Sequence, residues 1–264
     1  MERCAYLVNS TPKYYGILPL HFTMLRRYGW TFPTFFATEV PDHPVCQQLI
    51  KMGVELLIIK EGDAGFLDSR AAALRELKRI GDFDFVIPAQ DDFLLDRPPN
   101  FAALHDAMKL LNTGPIVSAR LMPCPRPGGP AMNSAPDWMG LTPVTDTYGF
   151  TFQATMWRLD ACADWYDGLC AKLENEWPIA TTDARLRRQV EVTANFAENS
   201  EGQKFFWEFF KARKQVHVGW RRAGSWSNAV YLCPWPYRPT AIVQGRLEPW
   251  AKELGEREGV PIIL

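Results

Sequence analysis

Short apolar runs alternate with segments whose apolar residues recur every three or four positions, and this rhythm governs the first half of the chain. AYLVNS (5–10) reads as a buried strand, and LPLHFTMLRRYG (18–29) as a helix stopped at Gly29. TFPTFFATE (31–39) predicts a second strand, PVCQQLIKMG (44–53) a helix and VELLIIK (54–60) a third strand. In LDSRAAALRELKRIG (67–81), Leu67, Ala71, Leu74 and Leu77 share one helical face; Asp68 or Ser69 can cap its start, and Gly81 ends it. FDFVIPA (83–89) supplies a fourth strand. Strands and helices in this order predict an α/β fold: a mixed, mostly parallel sheet flanked by helices.

Beyond the fourth strand the pattern is less regular. Pro98, Pro99 and Asn100 start a helix with Phe101, Leu104, Met108 and Leu111 on one face, and GPIVSARL (114–121) returns as a strand. PCPRPGGPAMNSAP (123–136) is too rich in proline and glycine for regular structure. TYGFTFQATMWRL (147–159) alternates, which predicts a half-buried strand with Thr147, Thr151, Gln153 and Thr155 on its polar face. Helices are expected over 160–173 and 183–198, a strand near QVHVGW (215–220), a loop at CPWPYRP (233–239) and a last helix over 247–258. With no internal repeat, we expect one domain, 1–264, with a first half to residue 120 and a second half beyond it.

Composition narrows the function. Lysine and arginine number 29 against 30 acidic residues, so no overall field draws nucleic acid or an anionic membrane to the surface. The start, MERCAYLVNS, has neither the apolar core nor the cleavage site of a secretory signal, and no run approaches the roughly 20 apolar residues of a span. A cytoplasmic chain is the expectation, with peripheral membrane attachment and oligomeric state left open. The six cysteines are scattered without a C-x-x-C pair, which suits reduced structural thiols.

The candidate chemistry sits in FVIPAQDDFLL (85–95), where a buried strand ends in Gln90, Asp91 and Asp92 with no cation nearby in sequence. In parallel α/β sheets, ligands bind beyond the carboxyl ends of strands. Two adjacent carboxylates repel one another, so they protonate, stay hydrated or hold a metal such as Mg²⁺ or Mn²⁺. Such ions use one or two protein carboxylates and complete their shell with water and phosphate oxygens, which fits a diphosphate-bearing substrate.

The order of elements up to FDFVIPAQDDFLL resembles the Rossmann-like nucleotide-sugar-binding half of glycosyltransferases of the GT-A fold, over roughly residues 4–120 and most sharply over 66–95. The resemblance implies a transferase moving a sugar from a nucleotide diphosphate donor, with UDP-sugar the expected one, to a glycan or other hydroxyl acceptor bound by the second half. It implies Asp92 as metal ligand at an Asp-x-Asp-like position, with Gln90 where the first acidic residue would stand, and Gln90 and Asp91 near ribose or donor sugar. Asn9, Ser10 and Thr11 would border the base, Thr38 and Glu39 base and ribose, and Arg70 would approach the donor from below. Glu201 or Glu198, near a helix start, would be the catalytic base of an inverting reaction, and His217 a further metal ligand. Arg221 and Arg222 would close over the diphosphate, and Trp138 and Trp226 lie in loops near the acceptor. The alternatives are a sugar-nucleotide nucleotidyltransferase, for which NSTPKYYG lacks the expected glycine-rich basic loop after the first strand, and a non-catalytic nucleotide-sugar-binding protein. A dehydrogenase would need G-x-G-x-x-G after the first strand, and a haloacid-dehalogenase-type phosphatase an aspartate there.

Overall fold

The apolar runs CAYLVN and FVIPAQ lie at the centre of the fold, buried because both of their faces are covered. The computed structural model of the chain describes residues 3–59, 66–122, 139–142, 149–176, 200–220, 233–238 and 240–264. Strand β1 (Cys4–Asn9) leads through a 3-10 turn (Pro12–Ile17) into helix α1 (Leu18–Arg27). Then come β2 (Thr34–Thr38), α2 (Pro44–Lys51), β3 (Glu55–Ile58), α3 (Phe66–Ile80) and β4 (Phe85–Gln90). A short β5 (Leu94–Leu95) precedes α4 (Phe101–Leu111), capped by the Asn100 side chain, which accepts from Ala103 N–H. The chain continues with β6 (Ile116–Arg120), β7 (Met139–Leu141), β8 (Thr155–Arg158), α5 (Leu159–Glu176), α6 (Ser200–Ala212) and β9 (Val216–Trp220). Three short strands, β10 (Tyr237–Arg238), β11 (Ile242–Val243) and β12 (Arg246–Leu247), precede α7 (Pro249–Arg257).

Eight of these strands form one mixed sheet in the order β3-β2-β1-β4-β8-β6-β9-β7. The first four are parallel; β8 enters antiparallel between β4 and β6. Period-two alternation sends Tyr6 and Val8 to one face, against α1 and α4, and Ala5 and Leu7 to the other, against α3 and α5. The α/β class and mixed sheet are as the pattern predicts.

Two local expectations change. Asp68 and Ser69 stand within the first turn of α3, which already includes Phe66, so neither is its cap. Of the alternating stretch 147–159, the described residues begin at 149, and among them only Thr155–Arg158 is a strand. Just before it, the Gln203 side chain takes the place of a neighbouring strand: its Oε1 accepts from Phe150 N–H at 2.9 Å and its Nε2 donates to the Phe150 carbonyl at 2.8 Å. The helix expected over 183–198 and the proline-rich loop at 123–136 lie outside the described residues.

Candidate functional site

The site is built where the connections leave the sheet in opposite directions. From β1 the chain goes to β2 by way of α1 on one face; from β3 it crosses to β4 by way of α3 on the other. Between β1 and β4 the two connections diverge, and a crevice opens beyond the strand ends. The parallel register sets Asn9 opposite Gln90. The next residue on each strand is therefore a neighbour too, and the Ser10 hydroxyl donates to the Asp91 carboxylate.

The resulting cleft has a volume of about 460 Å³. Asn9, Ser10, Thr11, Glu39, Gln90, Asp91 and Asp92, all expected from sequence, line it together. One wall adds Phe66 and Ser69 from the first turn of α3 and Phe152, whose ring meets Phe66 edge-on at 5.2 Å. The opposite wall is Pro12, Tyr14 and Tyr15 with the β11–β12 hairpin, whose turn residues Gln244 and Gly245 have φ of 50° and 76°. Two successive left-handed residues are the turn that suits a two-residue hairpin. Beside that turn stands Lys13: a Cβ on Gly245 would lie 3.4 Å from its Nζ.

The carboxylate pair is fastened from several elements. Ala241 N–H donates to the Asp92 carbonyl at 3.0 Å, and Ile242 N–H bonds the Asp92 carboxylate. From α1, His21 Nδ1 lies 2.9 Å from the Asp91 carbonyl, and its Nε2 lies 2.8 Å from the Tyr6 hydroxyl. Asp91 is half-buried and Asp92 is 7% exposed. Burial pushes the Asp91 carboxyl up to about 7, with the Ser10 hydroxyl pulling the other way and the Asp92 charge adding to the rise. Burial likewise raises Asp92 to about 6, against the Ile242 N–H, which favours the ionised form. Among the described residues lining the cleft there is no lysine or arginine. Buried carboxylates without a cation are a donor set suited to Mg²⁺ or Mn²⁺. Among the described residues, no cluster of three or more histidine, cysteine or acidic side chains could hold a metal, so protein ligation would rest on this pair.

Other expected residues sit elsewhere. Thr38 is 1% exposed; its hydroxyl is 2.8 Å from that of Tyr15, and it does not line the cleft. Arg70 lies beneath the floor, 2% exposed, donating from Nη2 to the Ala89 carbonyl at 2.8 Å, with its charge over the Phe66 ring. It supports the end of β4 and lines no part of the cleft. Glu201 is exposed on the first turn of α6, outside the cleft lining. Glu198, Arg221, Arg222, Trp138 and Trp226 lie outside the described residues.

His217 corrects an expectation. It is not brought to Asp92, because β9 is three places from β4 in the sheet. Its ring is 2% exposed, packed on Phe210 and Phe206 at 4.4 and 4.6 Å between centroids, with Nδ1 2.7 Å from the Ser118 hydroxyl. Burial lowers its pKa to about 3, helped by the Arg120 charge, so it is a neutral core residue. In QVHVGW both faces of the strand are covered, and a lone polar residue there falls inside. Sequence reasoning passed over His21, whose place within the apolar run LPLHF was the available signal, and over the hairpin, marked by Gln-Gly between IV and RL.

No family model matches the chain, and no curated protein matches it. Among solved structures, it is similar to a nucleotidyl transferase from Methanothermobacter thermautotroptrophicus (Mth528), with TM-score 0.48 and 11% identity over 85% of this chain and 89% of that one. It is similar to a cytidylyltransferase from Leptospira borgpetersenii, with TM-score 0.45 and 9% identity over 100% and 98% of the two chains. S. aureus TarS matches with TM-score 0.40 and 12% identity over 62% of this chain and 29% of that one. All three scores are below 0.5.

Proposed function

We propose that the chain is a transferase that binds a nucleotide through a divalent cation held by Asp91 and Asp92. The observation that carries this reading is the pair of carboxylates at the end of β4, both raised by burial and facing no cation among the described lining residues. When bound, Mg²⁺ or Mn²⁺ supplies Lewis-acid stabilisation of charge on phosphate oxygens. The protein residues do the holding: Ser10 orients the Asp91 carboxylate, Ile242 N–H that of Asp92, and Asn9, Ser69 and Gln90 offer neutral hydrogen bonds to hydroxyl groups. The hairpin and the Phe66–Phe152 corner wall the cleft on opposite sides, which limits water around the reacting groups.

Two transfers fit. Nucleotidyl transfer stands first because of Lys13, directly after β1: its Nζ is at the cleft rim beside Gly245 and over the Tyr14 ring at 5.1 Å. There it can meet the far phosphates of a triphosphate, a part the sequence reading found missing. Glycosyl transfer from a nucleotide-sugar, with a UDP-sugar as the proposed donor, stands second, favoured by the neutral amides and hydroxyls of Asn9, Ser69 and Gln90 beside the acidic pair. Under that reading Glu198 or Glu201 remains the proposed base, and Arg221 and Arg222 the proposed phosphate contacts.

The test supplies Mn²⁺ with nucleoside triphosphates and sugar phosphates in one series and with nucleotide-sugars in another. Pyrophosphate release that disappears in Asp92→Asn supports nucleotidyl transfer; nucleoside diphosphate release that disappears in the same variant supports glycosyl transfer. Silence in both series removes the transferase reading and leaves a binding module.

A further inference from the structure

His21 is a polar ring set into the apolar side of α1, 2% exposed, in contact with Tyr6 and Phe22. Packing alone would be served by phenylalanine or leucine, and a buried imidazole must have both nitrogens satisfied to avoid a penalty. Both are. A carbonyl oxygen only accepts, so the bond to Asp91 requires that Nδ1 carry the proton; Nε2 then accepts from the Tyr6 hydroxyl. Tyr6 is itself wedged at 5.3 Å against Trp235 and at 5.5 Å against Trp30, so the tautomer is locked from the core.

That bond ends on the backbone of Asp91, in the turn that presents both carboxylates. The same turn is held from the C-terminal side by Ala241 N–H on the Asp92 carbonyl, and from β1 by the Ser10 hydroxyl on the Asp91 carboxylate. Three elements thus fix the two acidic residues before any ligand arrives, and His21 is the contribution of α1.

We propose that His21, with Tyr6 behind it, is a positioning residue for divalent-metal binding at Asp91 and Asp92; this rests on the metal-dependent reading above. It touches neither metal nor substrate. Its role is to keep the Asp91–Asp92 turn in the geometry that binds, so that no ordering remains to be done on metal entry.

The test is Mn²⁺ titration of the full chain, without nucleotide, followed by electron paramagnetic resonance of the free ion, with urea unfolding in parallel. His21→Leu should weaken Mn²⁺ binding by roughly tenfold or more, the usual effect of losing such a supporting hydrogen bond. His21→Asn, whose Nδ2 can take the place of Nδ1–H, should bind within about threefold of the parent at that scale. A structural role alone would lower the urea midpoint of both variants and leave the Mn²⁺ affinity of the folded protein unchanged; that result overturns the proposal. If His21→Leu does not fold, Tyr6→Phe carries the test: it removes only the hydroxyl that locks the tautomer, so weakened Mn²⁺ binding supports the proposal and parental affinity overturns it. A parent that binds no Mn²⁺ overturns the metal-dependent reading and this proposal together, an outcome distinct from binding that is indifferent to His21.

Discussion

Single residues in this chain are placed against their solvation preference in two regions, with opposite consequences for stability. Asp91 and Asp92 have folded-state pKa values of about 7 and about 6, above the ordinary 3.8, so their contribution to stability is full below 3.8 and is lost as pH rises from there through the folded values. His21 and His217 are the reverse: burial holds them at about 4 and about 3, below the ordinary 6.5. Each stays neutral in the fold but gains a proton on unfolding below pH 6.5, so its contribution is present above 6.5 and declines as pH falls toward the folded value. The acid and imidazole slopes oppose one another in the parent, and a variant is needed to separate them. We expect the stability difference between the parent and His217→Leu to move in favour of the variant by up to about 1.4 kcal/mol per pH unit below 6.5, measured by urea unfolding. A difference that does not change with pH would contradict the neutral, buried state of His217. That residue also marks a limit of sequence reading: a histidine between two valines has the same local pattern whether it reaches a metal or, as here, an aromatic core.

At the scale of elements, strands paired by backbone were legible and segments paired by side chains were not. The runs CAYLVN, TFFAT and FVIPAQ are strands because their apolar residues fill both faces of a central sheet, a property the run itself displays. Residues 149–154 carry the same alternation but leave the sheet, since the partner of Phe150 is the amide of Gln203, 53 positions later. No local pattern encodes that. The dependence is testable: Gln203→Leu should lower stability by about 2–4 kcal/mol in urea unfolding, because Phe150 N–H and C=O are left buried without partners. A loss below about 0.5 kcal/mol would show that the bridge is dispensable. The β11–β12 hairpin was missed for a related reason: its arms are two residues long, too short for alternation to register, and its turn uses Gln rather than the more telling Asn or Asp before glycine.

For the whole molecule, the order of strands explains why so much of the cleft was foreseen. A parallel sheet built from alternating strands and helices brings strand ends to one edge, so Asn9, Ser10, Thr11, Glu39, Gln90, Asp91 and Asp92 could be gathered from their positions after apolar runs alone. What came from elsewhere could not: Phe152 and Gln244 enter the cleft through long-range packing of the second half, and Thr38 and Arg70 turn inward at strand and helix ends that sequence reading took to face the ligand. The proposed transferase chemistry requires a divalent ion at the end of β4. The most direct measurement is anomalous diffraction from crystals of the full chain soaked in Mn²⁺. The expected result is a manganese peak within roughly 2.2 Å of a carboxylate oxygen of Asp91 or Asp92, missing in Asp92→Asn. Crystals that show manganese bound elsewhere, or nowhere, with the Asp91–Asp92 turn unligated would contradict it.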